Sequence, residues 1–515
     1  MQFSTKCLLS ALATTTVICA SAQVTTASMS GSVTSNGEAI IGASVVALHE
    51  PSGTTYGTIT NIDGRFSLQG MRSGGPYKIT ISYIGYQTSV YKDITLQLGE
   101  TFNVNAELKE GTELLDEIVV TASKSKFSNE KTGATLNISN EKISSIPTIN
   151  RSVQDIARLS PYASGMSFAG GDGRSTNFTV DGANFNNNFG LSDGLPGGGN
   201  PISMDAIEEI QVVVSPFDVR QTNFIGGGIN AITKSGTNTF KGTAYTYFQN
   251  QNMRGNNIDG EDLGARAEES KNIYGATLGG PIIKNKLFFF GNVEYEMVPQ
   301  QVIKWRARGD NEEADPSGYI SRTKASDLEK VANHLKSKYG YDPGSYTDFP
   351  ADETNLKLLG RIDWNINDRN KLSLRYNYTK NTAWNAPNGS SVDVSPRLNG
   401  TYRVGEMSMS YANSMYSMDN IVSSVSADLN SRFTDEISNQ LLVTYTDIQD
   451  KRGTDSELFP FIDIMAGKDS NGNQILEPYI SAGYELFTYN NAVNNKILSI
   501  TDNMMENIKS LDPLL

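Results

Sequence analysis

Leu114-Leu115-Asp116-Glu117-Ile118-Val119-Val120-Thr121-Ala122 is a short β-branched run led by two acids, set between a region of short strands and a glycine-rich region. β-branched residues favour extended backbone, so Ile118 to Thr121 is expected to form a strand. The surroundings are polar and offer no obvious partner strand. An unpaired strand on a flexible tether suits capture by another protein through strand addition. The alternative is that Ile118 to Thr121 is an edge strand of the preceding domain. The flanking regions favour capture.

Met1 to Ala22 reads as a secretory signal peptide: Lys6 gives a positive start, Leu8 to Ile18 a short apolar core, and Ala20-Ser21-Ala22 a small-x-small cleavage site. The core is too short, and too broken by Thr14, Thr15 and Thr16, to span a bilayer as a helix. Ile18 before Cys19 argues against a lipoprotein signal. Cys7 and Cys19 both lie in this segment, so the mature chain has no disulfide, thiolate metal site or cysteine nucleophile. His49 and His334 fall in different expected domains, which disfavours a zinc site or a Ser-His-Asp relay. No cofactor and no metal are expected, and no catalytic residue is assigned.

No later segment offers about 18 consecutive apolar residues. An exported chain with 38% hydrophobic residues, 23 tyrosines and 47 glycines still has one membrane fate. A β-barrel exposes apolar side chains at alternate positions only, so its mean hydropathy stays low. The net charge of -13 argues against nucleic acid and fits an envelope protein with acidic loops.

Residues 28–109 read as short strands separated by turns. Asn61-Ile62-Asp63-Gly64 is a hairpin turn, and Tyr77-Lys78-Ile79-Thr80-Ile81-Ser82-Tyr83 alternates apolar with polar. About seven such strands suggest a small β-sandwich. The order Gly-Ala-Ser-Val, Thr-Asn-Ile-Asp-Gly-Arg-Phe, Tyr-Lys-Ile-Thr-Ile-Ser-Tyr-Ile-Gly-Tyr resembles the carboxypeptidase-regulatory-like domain, a module without peptidase chemistry.

Residues 132–237 are mixed. Glu141 to Ile146 and Ser152 to Leu159 read as short helices, Ile207 to Val214 as a strand, and Asn184 to Gly199 as an asparagine- and glycine-rich loop unable to bury a core. The triple glycine Gly226-Gly227-Gly228 lacks the Gly-Lys-Ser/Thr ending of a phosphate loop, so it reads as a place where backbones approach closely. From Asn238 onward, Leu287, Phe289, Val293 and Tyr295 alternate with Phe288, Asn292, Glu294 and Glu296; the stretches at Leu356 to Asn365 and Leu372 to Thr379 repeat the pattern. A polar face carrying full charges in strand after strand fits a wet or plug-facing lumen. Asn365 to Asn370 reads as a short periplasmic turn. Glu261 to Lys271 and Asn311 to Pro350 read as extracellular insertions, the second with a helix at Lys324 to Lys338. Asp469 to Asn473 reads as a turn, since its glycine is misplaced for an EF-hand.

In order, these pieces resemble the TonB-dependent outer-membrane receptors of the Bacteroidetes type, and their Oar-like branch above the branch paired with starch-binding lipoproteins. The resemblance implies a mainly β fold: signal peptide 1–22, sandwich 28–109, linker with a TonB box 110–131, plug 132–237, and a partial outer-membrane barrel 238–515. It implies that TonB takes Asp116, Glu117, Ile118, Val119, Val120, Thr121 and Ala122 in the periplasm and that a proton-driven motor then displaces part of the plug. The substrate, small or oligomeric and of open class, is expected at the plug apex, at Asn184, Asn186, Asn187, Asn188 and Asp193. Outer-membrane lipid surrounds the barrel, and a surface lipoprotein stays open as a further partner. A surface adhesin using the same sandwich and barrel for display is the alternative.

About eight strands are expected between Thr239 and Thr501, whereas plugged transporters use about 22. Met504 to Leu515 loses the alternation and lacks a terminal aromatic strand. The expectation is the N-terminal half of a longer receptor. An antibody against the sandwich should then detect, in the outer-membrane fraction of native cells, a band of about twice this chain's 56.0 kDa; a soluble or degraded band at this mass would contradict it.

Overall fold

The computed structural model describes residues 24–111, 118–121, 134–148, 151–186, 195–214, 226–253, 255–262, 264, 270–299, 302–350, 352–387, 403–465, 471–472, 478–483 and 493–506. The expected signal peptide, Asp116, Glu117, Ala122 and most of the expected turn at Asp469 to Asn473 lie outside them.

The first module has ten strands: β1 (Ala27–Ser35), β2 (Glu38–Ala39), β3 (Ser44–His49), β4 (Thr54–Ile59), β5 (Arg65–Met71), β6 (Gly74–Ser82), β7 (Ser89–Leu96), β8 (Thr101–Asn103), β9 (Ala106–Glu107) and β10 (Ile118–Thr121). They form two sheets, one of β1 with β2, β5, β8 and β9, the other in the order β10-β7-β6-β3-β4. Alternation sets the packing. Tyr77, Ile79 and Ile81 on β6 are fully buried, while Lys78, Thr80 and Ser82 point away from the core. Gly31 is required by close approach, because a Cβ there would lie 1.8 Å from the Val104 carbonyl oxygen.

The expectation of an unpaired Ile118–Thr121 strand is corrected. β10 pairs in parallel with β7, Ile118 opposite Ser89 and Thr121 opposite Lys92. A four-residue β-branched strand lowers its free energy by pairing its backbone, and β7 offered an open sheet edge. The alternative of an edge strand on the preceding domain describes this arrangement.

The second module contains β11 (Ala134–Ser139), α1 (Asn140–Ser145), α2 (Val153–Ala157), β12 (Ala163–Ser164), β13 (Ser167–Phe168), β14 (Asn177–Val180), β15 (Ala183–Asn184), β16 (Ile207–Val214) and β17 (Gly227–Thr233). Its sheet runs β11-β16-β17-β14-β15, with β14 and β17 parallel. A capping box starts α2: the Ser152 hydroxyl accepts from Asp155 N–H, and the Asp155 carboxylate accepts from Ser152 N–H. The core centres on Phe178 and Phe185, both fully buried, with centroids 6.2 Å apart in an edge-on pair.

The third module is an open sheet of eight long antiparallel strands. In chain order the strands are β18 (Lys241–Asn250), β19 (Asn257–Ile258), β20 (Glu261–Asp262), β21 (Ser270–Ile283), β22 (Leu287–Pro299), β23 (Arg306–Arg308), β24 (Ile320–Lys324), β25 (Asp352–Asn365), β26 (Asn370–Asn385), β27 (Met409–Ser410), β28 (Tyr416–Arg432), β29 (Ile437–Gly453), β30 (Ile462–Met465), β31 (Pro478–Ala482) and β32 (Val493–Glu506). The sheet is β18-β21-β22-β25-β26-β28-β29-β32. The strand number matches the expectation. Short turns join β21 to β22, β25 to β26 and β28 to β29 at one end, and long insertions leave the other. The long end carries a small layer of its own: α3 (Ala325–Tyr339) packs Leu328 and Leu335 with Tyr341, Met409, Tyr411 and Ile480.

The sandwich sits at the short-turn end. The Asn238 N–H donates to the Pro51 carbonyl, and the Asn365 amide donates to the Thr54 hydroxyl at 2.9 Å. The Thr25 hydroxyl donates to Asp428 at 2.6 Å, and the Gln440 amide donates to Thr25. Against the plug, Leu98 N–H donates to both oxygens of Glu209 at 3.0 and 3.2 Å, and the Gln211 amide donates to the Leu98 carbonyl. Burial raises the Glu209 carboxyl to about 7, the Leu98 N–H opposing it.

Because the folded-state pKa of Glu209 is raised, the contribution is fully present below the ordinary carboxylate pKa and is lost as pH rises through about 7. Protection of Leu98 and Gln211 from hydrogen exchange should therefore weaken from pH 5 to pH 8, corrected for intrinsic rates, and Glu209→Gln should flatten that profile. Gly31→Val should open the sandwich at β1, seen as faster proteolysis between Ala27 and Asn103 in the full chain; unchanged cleavage would contradict the close approach.

Candidate functional site

The eight-stranded sheet turns polar and charged side chains inward, together with Phe290, Leu359, Val422 and Ile448 that pack on the plug core, and apolar side chains outward. On β22, Phe288, Asn292, Glu294 and Glu296 are buried while Val293 and Tyr295 are exposed; on β25, Asn355, Lys357 and Asp363 are buried while Leu358, Ile362 and Trp364 are exposed. β26 continues this with Arg375, Asn377, Thr379 and Asn381 inside and Leu374 and Tyr376 outside. Such an inversion suits a lipid-facing outer surface. The buried charges need partners; neighbouring strands supply some and the plug supplies others.

Two contact zones result. At the long-loop end, plug residues Gly197 to Ser203 meet the strand ends. The Ser203 hydroxyl donates to Glu294 at 2.8 Å, and Glu294 also takes Tyr245 Oη–H at 2.9 Å and Lys357 Nζ at 2.9 Å. The Thr379 hydroxyl donates to the Pro201 carbonyl at 2.7 Å, and the Asn355 amide to the Gly197 carbonyl at 3.1 Å. Gly197, Gly198 and Gly199 all take positive φ, and a Cβ on Gly198 would fall 2.5 Å from the Asn381 side chain. Glycine is thus required for the loop to lie against the sheet.

Nearer the short-turn end, Asp181 of the plug accepts Thr233 N–H at 2.9 Å and the Thr233 hydroxyl at 2.7 Å. Arg361 Nη1 and Arg375 Nε approach its carboxylate at 3.4 Å each. Arg361 also donates to Asp363 and to the Thr233 carbonyl.

Between the plug loop and the strand ends lies a cleft of about 280 Å³, lined among others by Ser152, Gln154, Asn200, Asn355 and Asn381, with the Lys271–Glu296 ion pair on its wall. Carboxamides and hydroxyls dominate it. The Asn355 carboxamide oxygen is buried without a hydrogen-bond partner, an acceptor that a hydroxyl or amide N–H would satisfy. The cleft opens where the long insertions leave the sheet.

The predicted apex residues fare differently. The expectation that the Asn184 to Gly199 loop buries no core is corrected: Phe185 and Leu195 are in the plug core. Asn186 is buried, its oxygen accepting Phe178 N–H at 2.6 Å and its amide donating to Asn177. Asn184 accepts the Asn186 N–H at 2.7 Å. Both are committed to holding the loop, because burying Phe185 leaves backbone groups to satisfy. Asn187, Asn188 and Asp193 lie outside the described residues. The cleft is lined by the far end of the same loop, Gly198 to Asn200, and by strand-end residues that were not singled out. Charges at alternate positions near the loop ends of β22 and β25 were the available signal.

Residues 28–109 match the carboxypeptidase regulatory-like domain, and residues 232–304 match an outer membrane beta barrel domain. The chain is 23% identical over 345 residues to the TonB-dependent transporter Oar of Myxococcus xanthus, covering 62% of this chain and 30% of that protein. It is 36% identical over 137 residues to the TonB-dependent receptor SusC of Bacteroides thetaiotaomicron, covering 27% of this chain and 12% of that protein. The outer membrane transporter YddB of Escherichia coli superposes with a TM-score of 0.46 at 13% identity, over 72% of this chain and 45% of that one. The chain spans less than a third of the length of either curated relative. By these relatives and domains, the chain is similar to the TonB-dependent receptors of the outer membrane and carries a carboxypeptidase-regulatory-like domain over residues 28–109.

Proposed function

We propose that this chain takes part in TonB-energised import of a polar solute across the outer membrane. The observation that carries the reading is the plug seated on the charged inner face of the sheet, with a polar cleft between them at the long-loop end. Short turns mark the periplasmic end of outer-membrane barrels and long loops the outside. The cleft then faces the medium, and the sandwich and β10 face the periplasm.

In this reading a solute enters the cleft, where Asn355 and Asn381 offer hydrogen bonds. TonB adds a strand to Ile118–Thr121, with Asp116 and Glu117 keeping the approach solvated and drawing a basic partner. β10 ends its sheet, so its outer edge has no strand partner among the described residues. Force on residues 118–121 reaches the plug through the following segment, and displacement of Gly197 to Ser203 opens a path along the polar face. No step needs covalent chemistry, so the reading is of a transporter and not an enzyme.

Deleting Asp116 to Ala122 from the native full-length protein should abolish binding of the purified periplasmic domain of TonB, measured by calorimetry, without changing outer-membrane abundance. Binding equal to the wild type would reject the assignment and favour the reading of β10 as purely an edge strand. Asn355→Leu should leave abundance unchanged and lower uptake of the native solute, about tenfold for one lost buried hydrogen bond of 1.4 kcal/mol; unchanged uptake would remove this cleft from the path.

A further inference from the structure

The sandwich does more than hang from the N-terminal side of the plug. Arg72, at the turn between β5 and β6, reaches out of the sandwich with its backbone fixed: its carbonyl accepts the Tyr77 hydroxyl at 2.8 Å, and its N–H meets the Tyr56 hydroxyl. Its guanidinium donates to the Ser235 hydroxyl at 3.0 Å, where the plug passes into the sheet, and lies 3.5 Å from Asp363 of β25. Asp363 is also held by Arg361 at 2.9 Å and by the Ser373 hydroxyl at 2.7 Å. Arg361 in turn meets Asp181 of the plug, which Arg375 flanks on its other oxygen. Charges of alternating sign thus run from sandwich to sheet to plug without a break.

We propose that the seated sandwich is part of the seal: through Arg72 it closes the Asp363–Arg361–Asp181 chain off from water and thereby holds the plug in the sheet. The direction follows from solvation. Asp363 is 1% exposed and Arg375 2% with the sandwich in place. Ion pairs are strong where water is excluded and weaken where it enters. Taking Arg72 away leaves Arg361 as the one cation on Asp363 among the described residues and opens the Arg72 side of that buried pair to water. Water drawn to it reaches Arg361 and loosens its hold on Asp181. Release of the plug therefore begins with release of the sandwich, and Arg72 is the positioning residue.

Hydrogen exchange of the full chain in detergent tests this without TonB or substrate, so its failure is distinct from failure of the transport reading. In Arg72→Gln, peptides covering Phe178 to Gly182 and Gly227 to Lys234 should exchange about tenfold faster, while β3 and β6 keep wild-type protection. Arg72→Lys, which keeps the charge without the fork, should fall between. Gly53→Ala lifts the sandwich at a remote contact, since its Cβ would lie 2.1 Å from the Asn285 side chain; it should loosen the same plug peptides with Arg72 intact. Wild-type exchange of those peptides in either Arg72→Gln or Gly53→Ala would overturn the proposal.

Discussion

A sheet that turns apolar side chains to lipid must put its charges on the other face, and those charges have to be matched. Everything else in this structure is arranged around that requirement. Glu294, Lys357, Asp363 and Arg375 are buried on the inner face, and Arg361 is partly buried there. A buried charge without a partner is far more costly than a buried pair. Glu294 and Lys357 pair within the sheet, and the plug adds Ser203 to Glu294, and Asp181 and the Thr233 carbonyl to the arginines. Its glycines at 197–199 are a consequence of having to bring backbone, and not only side chains, against that face.

The same requirement separates the two ends. At the long-loop end neutral groups of the plug loop join the Glu294–Lys357 and Lys271–Glu296 pairs, and a polar cleft remains. At the short-turn end the match is ionic and dense, and the sandwich lies over it. A neutral hydrogen bond is exchanged for water at little net cost, whereas a desolvated ion pair resists separation until water reaches it.

Local pattern made much of this legible. Hairpin signals and period-two alternation gave the sandwich, with Tyr77, Ile79 and Ile81 buried as their spacing implies. The inward and outward faces of β22, β25 and β26 followed residue by residue, because alternation is a property of the strand itself. The helix at Ala325–Tyr339 lay within one residue of expectation. What was not legible is what depends on distant chain. Four β-branched residues at Ile118 to Thr121 announce a strand but cannot say which edge receives it. Asn186 looked like a surface ligand because nothing in its neighbourhood reveals that Phe185 is anchored in a core. Arg72 is one turn cation among several until the fold sets it against Asp363.

The docking of the sandwich bears on the order of assembly. Thr25 finds Asp428 across 403 residues and Gln440 across 415. An exported chain emerges from its N-terminal side, so the sandwich, whose own pairings are local, can form long before its docking partners exist. Loop closure over such a separation is slow to be rewarded, since no contact along it gains until both ends are built. The sandwich can meet the plug through Leu98 and Glu209 earlier, but its contacts at Thr25 must wait while β28 and β29 are laid into the sheet. Closure of Thr25 on Asp428 and Gln440 thus marks the completion of those strands, a last step in the seating of the sandwich.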